Sequence, residues 1–325
     1  MGTLQPQVIF LFSGQGSHYY QMGKEFMDTD AVFAHWMREG EKVLADLGYP
    51  SFLQILYGNP QSEPWMDLLF THPCLVIIQY AMFRMLNSLG IKADAVLGVS
   101  VGEIAAAVSA GFCSFEEGIK ISLKQAELIV EHCPQGGMTA VLGPPSLYWE
   151  STVLHDLVHF AGENFANHFM ISGLLQSLKQ AEKFLRSLNV NCQALPLSYA
   201  FHSSGIIKAK KPFESFCKNI TPSTINPTTP LISGLRGKEL KRLPDNYLWD
   251  VVFEPISFRQ TIMQELEGEE EKFYVDLGPS GTLATFVKYN LNSETSQSKS
   301  IPLLTPFHNG EKNLSLLQKI IGQCR

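Results

Sequence analysis

Residues 93–112 read ADAVLGVSVGEIAAAVSAGF, and the change of period inside that stretch sets the fold class. A short apolar run, AVLG, gives way at GVSVG (98–102) to EIAAAVSAGF, whose small and apolar residues suit a helix. A buried strand, a sharp glycine turn and a helix in that order form the unit of parallel sheets, because parallel strands need a crossover between them. GVSVG also fits G-x-S-x-G, in which a serine sits on a cramped strand-to-helix turn and small neighbours let its hydroxyl project. Ser100 is therefore the candidate nucleophile; a tight turn whose serine merely caps the helix fits the same residues.

The same unit recurs on both sides. QVIFLF (7–12) is an apolar run stopped by SGQGS, a buried strand entering a glycine-rich turn with a helix expected after it. Cys74–Leu89 carries helical spacing and ends before Gly90, a suitable C-cap. PLISGL (230–235) and FYVDLG (273–278) read as strands, the latter opening into the helix of GPSGTLATFVKYN. Between them GGMTAVLG, STVLHDLVHFAGEN, HFMISG, LLQSLKQAEKFLRSL and NCQALPLS alternate as short strands and helices, which reads as a small α+β insert. The expected division is 1–130 and 200–325 for the large α/β unit and 131–199 for the insert. SETSQSKS (293–300) reads as an exposed loop and the acidic run EGEEE (267–271) as a solvated helix end.

Composition excludes several classes. The 325 residues are 45% apolar and 17% charged, wrong for disorder, collagen or coiled coil. A net charge of −6 argues against a general electrostatic grip on nucleic acid. The 6 cysteines form no CxxC pair, which argues for free thiols in a reducing compartment and against a zinc site. No basic leader and no apolar run of about 18 residues is present, so neither a signal peptide nor a membrane span is expected and a cytoplasmic location is.

A serine at its ordinary pKa needs a base, and 9 histidines are available. His202, in LSYAFHSS where the insert rejoins the large unit, stands at an expected cleft. FSGQGSH (12–18) can aim backbone N–H groups and the Gln15 amide at a developing oxyanion, and it fits neither GxGxxG nor a P-loop. A Ser-Asp-His order using Asp276 and His308 is the rival arrangement, that of an esterase. A non-catalytic binding scaffold is the rival from another class.

FLFSGQGSHYYQMG, GVSVGEIAAA, GGMTAVLG, ENFANHFMISG, SYAFHSS and DLGPSGTLATF, in this order over roughly residues 7–308, together resemble the malonyl-CoA:acyl-carrier-protein transacylase family, including polyketide synthase acyltransferases. The resemblance implies an α/β-hydrolase-like subdomain with a parallel sheet, interrupted by a small ferredoxin-like subdomain, with the active site in the cleft between them. It implies a Ser100–His202 dyad, an oxyanion hole from Gln15 and the Val101 backbone N–H, and a backbone carbonyl near Val251 that orients the imidazole. No metal or redox cofactor is expected; phosphopantetheine arrives on the carrier substrate.

The departures from the family pattern bear on the substrate. Malonyl-loading members carry an arginine about 25 residues after the serine, whose planar fork binds a carboxylate bidentately. Here that position is Gln125, with Lys124 there if the register slips by one. A neutral amide leaves a buried carboxylate uncompensated, so an uncharged acyl group is expected. Val99 stands where histidine is usual. His72 replaces a common glutamine and is expected either to line the cleft or to sit as a helix-start histidine ahead of Pro73. Tyr199 to His202 read YAFH, a mixture of two specificity patterns. Gln125, YAFHSS and DLGPSGTLATF look most like the stand-alone acyl hydrolases of polyketide pathways, which remove acyl groups stalled on carrier proteins. The expected function is such a proofreading hydrolase, with transfer of acetyl or another neutral acyl group to a carrier as the alternative. An acidic carrier protein would need a basic rim, for which Lys208, Lys210, Lys211, Arg236, Lys238, Lys241 and Arg242 are candidates.

Overall fold

The strands are β1 (Gln7–Phe12), β2 (Ala95–Gly98), β3 (Gly136–Leu142), β4 (His159–Phe165), β5 (His168–Leu174), β6 (Asn191–Ala194), β7 (Leu231–Ser233), β8 (Lys238–Leu240), β9 (Lys272–Asp276) and β10 (Lys299–Pro302). They come from a computed structural model that describes residues 6–58, 63–218, 227–265, 271–291 and 296–324. Ile9, Phe10, Leu11 and Phe12 in β1 and Val96 and Leu97 in β2 lose all solvent contact. Such unbroken apolar runs are what a parallel sheet covered on both faces demands.

One sheet has six strands in the order β10-β9-β1-β2-β7-β8, parallel except for the β7–β8 hairpin. The chain leaves β1 towards β2 on one side and returns to β9 on the other. The strand order therefore reverses beside β1, and the crevice past the carboxyl ends of the strands at such a point is where open α/β sheets bind ligands. The turns after β1 and β2, and the loop after β9, open there. The second sheet, antiparallel in the order β4-β5-β3-β6, lies within residues 136–194 and has its own apolar cluster around Phe169, Ile171, Leu178 and Leu185. Its β-α-β-β-α-β succession in that strand order is the ferredoxin-like arrangement, so the two-subdomain α/β architecture is as expected.

Three details differ from the sequence reading. The turn after β1 runs on to Gly23, and the first helix is Lys24–Thr29. The helix expected from Cys74 begins at Leu68, because the Asp67 side chain accepts the Leu69 N–H at 3.1 Å and starts it before Pro73. An internal proline costs about 3 kcal/mol. Leu75, Val76, Ile77, Ile78, Met82, Met85 and Leu86 are fully buried on the same helix. At about 1.5–3 kcal/mol for each large apolar side chain, that burial outweighs the proline. This helix, Leu68–Ser88, is long and apolar enough to cross a membrane by length and composition, but it is mostly buried, an interior helix of the large subdomain. Finally, β10 starts at Lys299, inside the expected loop, and EGEEE lies outside the described residues apart from Glu271.

Candidate functional site

Ser100 sits between β2 and the helix Gly102–Ala110 at φ +56°, a left-handed conformation that costs a non-glycine residue about 1–2 kcal/mol. The flanking glycines exist to let this turn form. A Cβ on Gly98 would stand 2.3 Å from the Glu103 Cα, one on Gly102 2.2 Å from the Phe12 carbonyl oxygen, and one on Gly14 2.7 Å from the Ser100 Cβ. The β1 and β2 turns therefore press directly on each other, and the hydroxyl is left facing the crevice.

His202 faces it. The Ser100 Oγ lies 2.9 Å from the His202 Nε2, and the His202 Nδ1 lies 2.7 Å from the Glu254 carbonyl oxygen. A carbonyl only accepts, so Nδ1 carries the proton and Nε2 keeps the lone pair that receives the serine O–H. The backbone N–H of His202 donates to Val252 at 2.9 Å. Both bonds come from the end of the helix Tyr247–Phe253. The orienting carbonyl is thus that of Glu254, a correction to Val251: the helix must end before a carbonyl is free to turn outward, and its C-cap is Glu254. Burial lowers the His202 pKa from 6.5 to about 4, only partly countered by the Glu254 bond, so the ring is neutral at physiological pH. His308 is exposed and Asp276 is bound to the backbone N–H groups of Gly278 and Ala284, so the rival triad is not assembled.

Behind the crevice runs a chain of neutral groups. The Gln15 Nε2 donates to His72 Nδ1 at 2.9 Å and to Thr71 Oγ1 at 3.3 Å. The His72 Nε2 then donates to Gln125 Oε1 at 3.0 Å, and the Gln125 Nε2 to the Leu248 carbonyl oxygen. His72 and Gln125 are both fully buried. Burial lowers the His72 pKa to about 4, against the raising effect of its bond to Gln125, so this chain is uncharged too. The helix register is the one expected, since Lys124 points outward to Glu127 while Gln125 points inward. Contrary to expectation, His72 neither lines the crevice nor starts a helix. It is the fifth residue of its helix and stacks against Phe201, ring centroids 5.7 Å apart, which stands between it and the crevice. The Gln15 amide N–H groups are taken up by Thr71 and His72.

The cavity at Ser100 and His202 has a volume of about 300 Å³. Val99, Met138, Met170, Leu195, Phe201, Ile256, Leu283 and Phe286 give it apolar walls, with Gln15, Asn164, His168 and Gln193 as polar points. Neither Gln125, His72 nor Tyr199 is among the lining residues. GGMTAVLG, ENFANHFMISG and DLGPSGTLATF, which carry no residue expected in the site, supply Met138, Asn164, His168, Met170, Leu283 and Phe286 to it. The small subdomain thus closes one wall of the cleft. Lys208 and Lys211 are exposed, whereas Lys210 pairs with Glu214 at 3.9 Å, and Arg236 with Asp250 at 2.6 Å on the helix that holds His202. The pairing removes Arg236 from the free basic rim. Among the described residues, no three His, Cys, Asp or Glu side chains form a candidate metal cluster.

Comparison with known proteins bears on the family and the fold. The acyl transferase domain family profile matches residues 9–324. The polyketide biosynthesis acyltransferase homolog BaeD of Bacillus velezensis is 36% identical over 317 residues, 97% of this chain and 96% of that protein. The homolog PksD of Bacillus subtilis is 36% identical over 313 residues, 96% of this chain and 95% of that protein. Among solved structures, the malonyl CoA-acyl carrier protein transacylase of Clostridium perfringens superposes with a TM-score of 0.80 at 25% identity, covering 98% of this chain and 99% of that one. A loading acyltransferase of the avermectin polyketide synthase shares the fold, with a TM-score of 0.85 at 21% identity over 96% of this chain and 99% of that one.

Proposed function

The chain belongs to the acyl transferase domain family, and from that premise we propose that it hydrolyses uncharged acyl thioesters on acyl carrier proteins of a polyketide pathway, through an acyl-Ser100 intermediate. The observation that carries the choice of acyl group is the buried, neutral Gln15–His72–Gln125 chain behind the cavity, which holds no cation for a terminal carboxylate. In the proposed reaction the Ser100 Oγ attacks the thioester carbonyl as its proton passes to His202 Nε2. The oxyanion is met by the backbone N–H groups of Gln15 and Val101, since the Gln15 amide is engaged elsewhere. Collapse expels the pantetheine sulfur, which takes the proton from His202. Water then attacks the acyl-serine with His202 again as base, releasing the acid and Ser100.

Water as the final acceptor is supported by the likeness of Gln125, YAFHSS and DLGPSGTLATF to stand-alone acyl hydrolases. The alternative is transfer to a second carrier, which the relatives' description as acyltransferase homologs favours. The chemistry uses protein groups alone and needs no bound metal or redox cofactor; the partner is an acidic carrier protein meeting the exposed Lys208 and Lys211. A cytoplasmic setting is supported by the free thiols of Cys74, Cys113, Cys133, Cys192 and Cys217.

The test incubates an acetyl-loaded carrier with the protein and follows the intact carrier mass. Release of free thiol carrier and acetate is expected. Acetyl appearing instead on a second carrier would establish transfer, and rapid acylation of Ser100 by a malonyl thioester would overturn the reading of Gln125.

A further inference from the structure

Glu103 is a carboxylate with no place in the steps above, yet it is fully buried three residues after Ser100, in the first turn of the helix that follows it. Its Oε1 accepts the Leu235 backbone N–H at 2.8 Å and its Oε2 accepts the Tyr247 hydroxyl. Tyr247 is the first residue of the helix Tyr247–Phe253, whose far end supplies the Val252 and Glu254 carbonyls to His202. One carboxylate therefore ties the helix that follows the Ser100 turn to the helix that orients the base.

We infer that Glu103, in its ionised form, is a positioning residue for the Ser100–His202 pair, acting through Tyr247 and the helix that ends at Glu254. The inference rests on acylation of Ser100 and is independent of whether water or a thiol follows.

The chemistry of the partners gives this tie a direction. Leu235 offers an N–H, which can only donate, and Tyr247 donates its O–H. An ionised carboxylate accepts both, whereas a protonated one carries a proton where a donor already points. The other groups that face Glu103 are Ser233, at the end of β7, and the Arg236 guanidinium, itself paired with Asp250 of the Tyr247 helix at 2.6 Å. Burial raises the Glu103 carboxyl to about 7, while bonds from Ser233, Tyr247 and Leu235 and the charge of Arg236 hold it down. Protonation near neutrality thus loosens the grip on Tyr247 while His202 stays neutral down to about pH 4. The acid side of the acylation profile should show a fall near pH 7 that the base itself does not explain.

The measurement is the single-turnover rate of Ser100 acylation by acetyl-pantetheine, followed by protein mass from pH 4.5 to 9, for the wild type, Glu103→Gln and Tyr247→Phe. The wild type should lose rate below about pH 7. Glu103→Gln should be slower above pH 7 by about 10- to 100-fold, with half-saturation unchanged, and should lack the fall near 7. Tyr247→Phe removes the link itself, so it should also be slower above pH 7 and lack the fall near 7; this variant decides the matter if Glu103→Gln does not fold. A wild-type rate and profile in Glu103→Gln would overturn the inference. So would a fall near 7 that persists in it, which would assign the titration to Asp276, whose carboxyl burial also raises to about 7. Absence of acylation in the wild type would instead sink the Ser100–His202 reading on which this rests.

Discussion

Replacing Gln125 by arginine should turn the protein towards dicarboxylic acyl groups. The wild-type site presents no cation, so a malonyl carboxylate entering it is desolvated without a partner, at a cost of several kcal/mol. A bidentate guanidinium supplies two charge-assisted hydrogen bonds of about 1.5–3 kcal/mol each. Taking about 3–5 kcal/mol as the net change, the malonyl-to-acetyl ratio of acylation rates should rise by roughly 10²- to 10⁴-fold, at 1.36 kcal/mol for each tenfold step. The network can tolerate the swap because it can reverse its polarity. The Gln15 Oε1 is buried without a partner. A flip of that amide lets it accept from His72 Nδ1–H, which frees His72 Nε2 to accept from the new guanidinium. Arginine also retains donors for the Leu248 carbonyl. The remaining cost is added volume in a packed layer behind Phe201, about 1–3 kcal/mol, which should lower Tm by several degrees. The assay is competition between acetyl- and malonyl-pantetheine, read as the mass of the acylated protein. An unchanged ratio in a folded Gln125→Arg variant would refute the argument that missing charge excludes malonyl, and would point to the Phe201–His72 stack as the barrier.

Gly14→Ala should cut acylation of Ser100 by at least about 100-fold, because the new methyl displaces the serine by up to an ångström; labelling by a fluorophosphonate at unchanged circular dichroism checks it. His72→Gln should change how stability depends on pH. The folded-state pKa of His72 lies below its unfolded value, so the unfolded chain takes the proton first and wild-type stability is lost as pH falls from 6.5 towards 4. Relative to wild type, the variant should gain about 2 kcal/mol between pH 7.5 and 5, read from urea midpoints, and equal shifts in both proteins would contradict the burial argument. Replacing Lys208 and Lys211 together by alanine should lower kcat/KM for carrier-borne acetyl roughly three- to ten-fold, leave acetyl-pantetheine unaffected, and weaken the salt dependence. Equal losses on both substrates would remove these lysines from the docking surface.

The Ser100 turn and the large sheet were legible in the chain because they are local. GVSVG must turn where a strand meets a helix, and apolar runs of strand length can only be buried between layers. Gln125 was identified by its distance from Ser100, yet its surroundings were not, since His72, Gln15 and Leu248 come from separate elements. The helix starts at Leu68 rather than Cys74 because the Asp67 cap and the burial of an entire helix outweigh the cost of Pro73. The orienting carbonyl was placed at Val251 rather than Glu254 because a backbone carbonyl has no residue signature, and only the end of a helix decides which one turns outward.

What the linear chain determined was the set of reactive groups and the kinds of element that carry them, since composition, period and turn chemistry act over a few residues. Which groups meet was decided by tertiary packing. Ser100 and His202 are 102 positions apart in the chain yet 2.9 Å apart in space, and Glu103 reaches Tyr247 across 144 positions. The crevice they share forms only once β1, β2 and β9 lie side by side and the small subdomain lays its wall over their carboxyl ends.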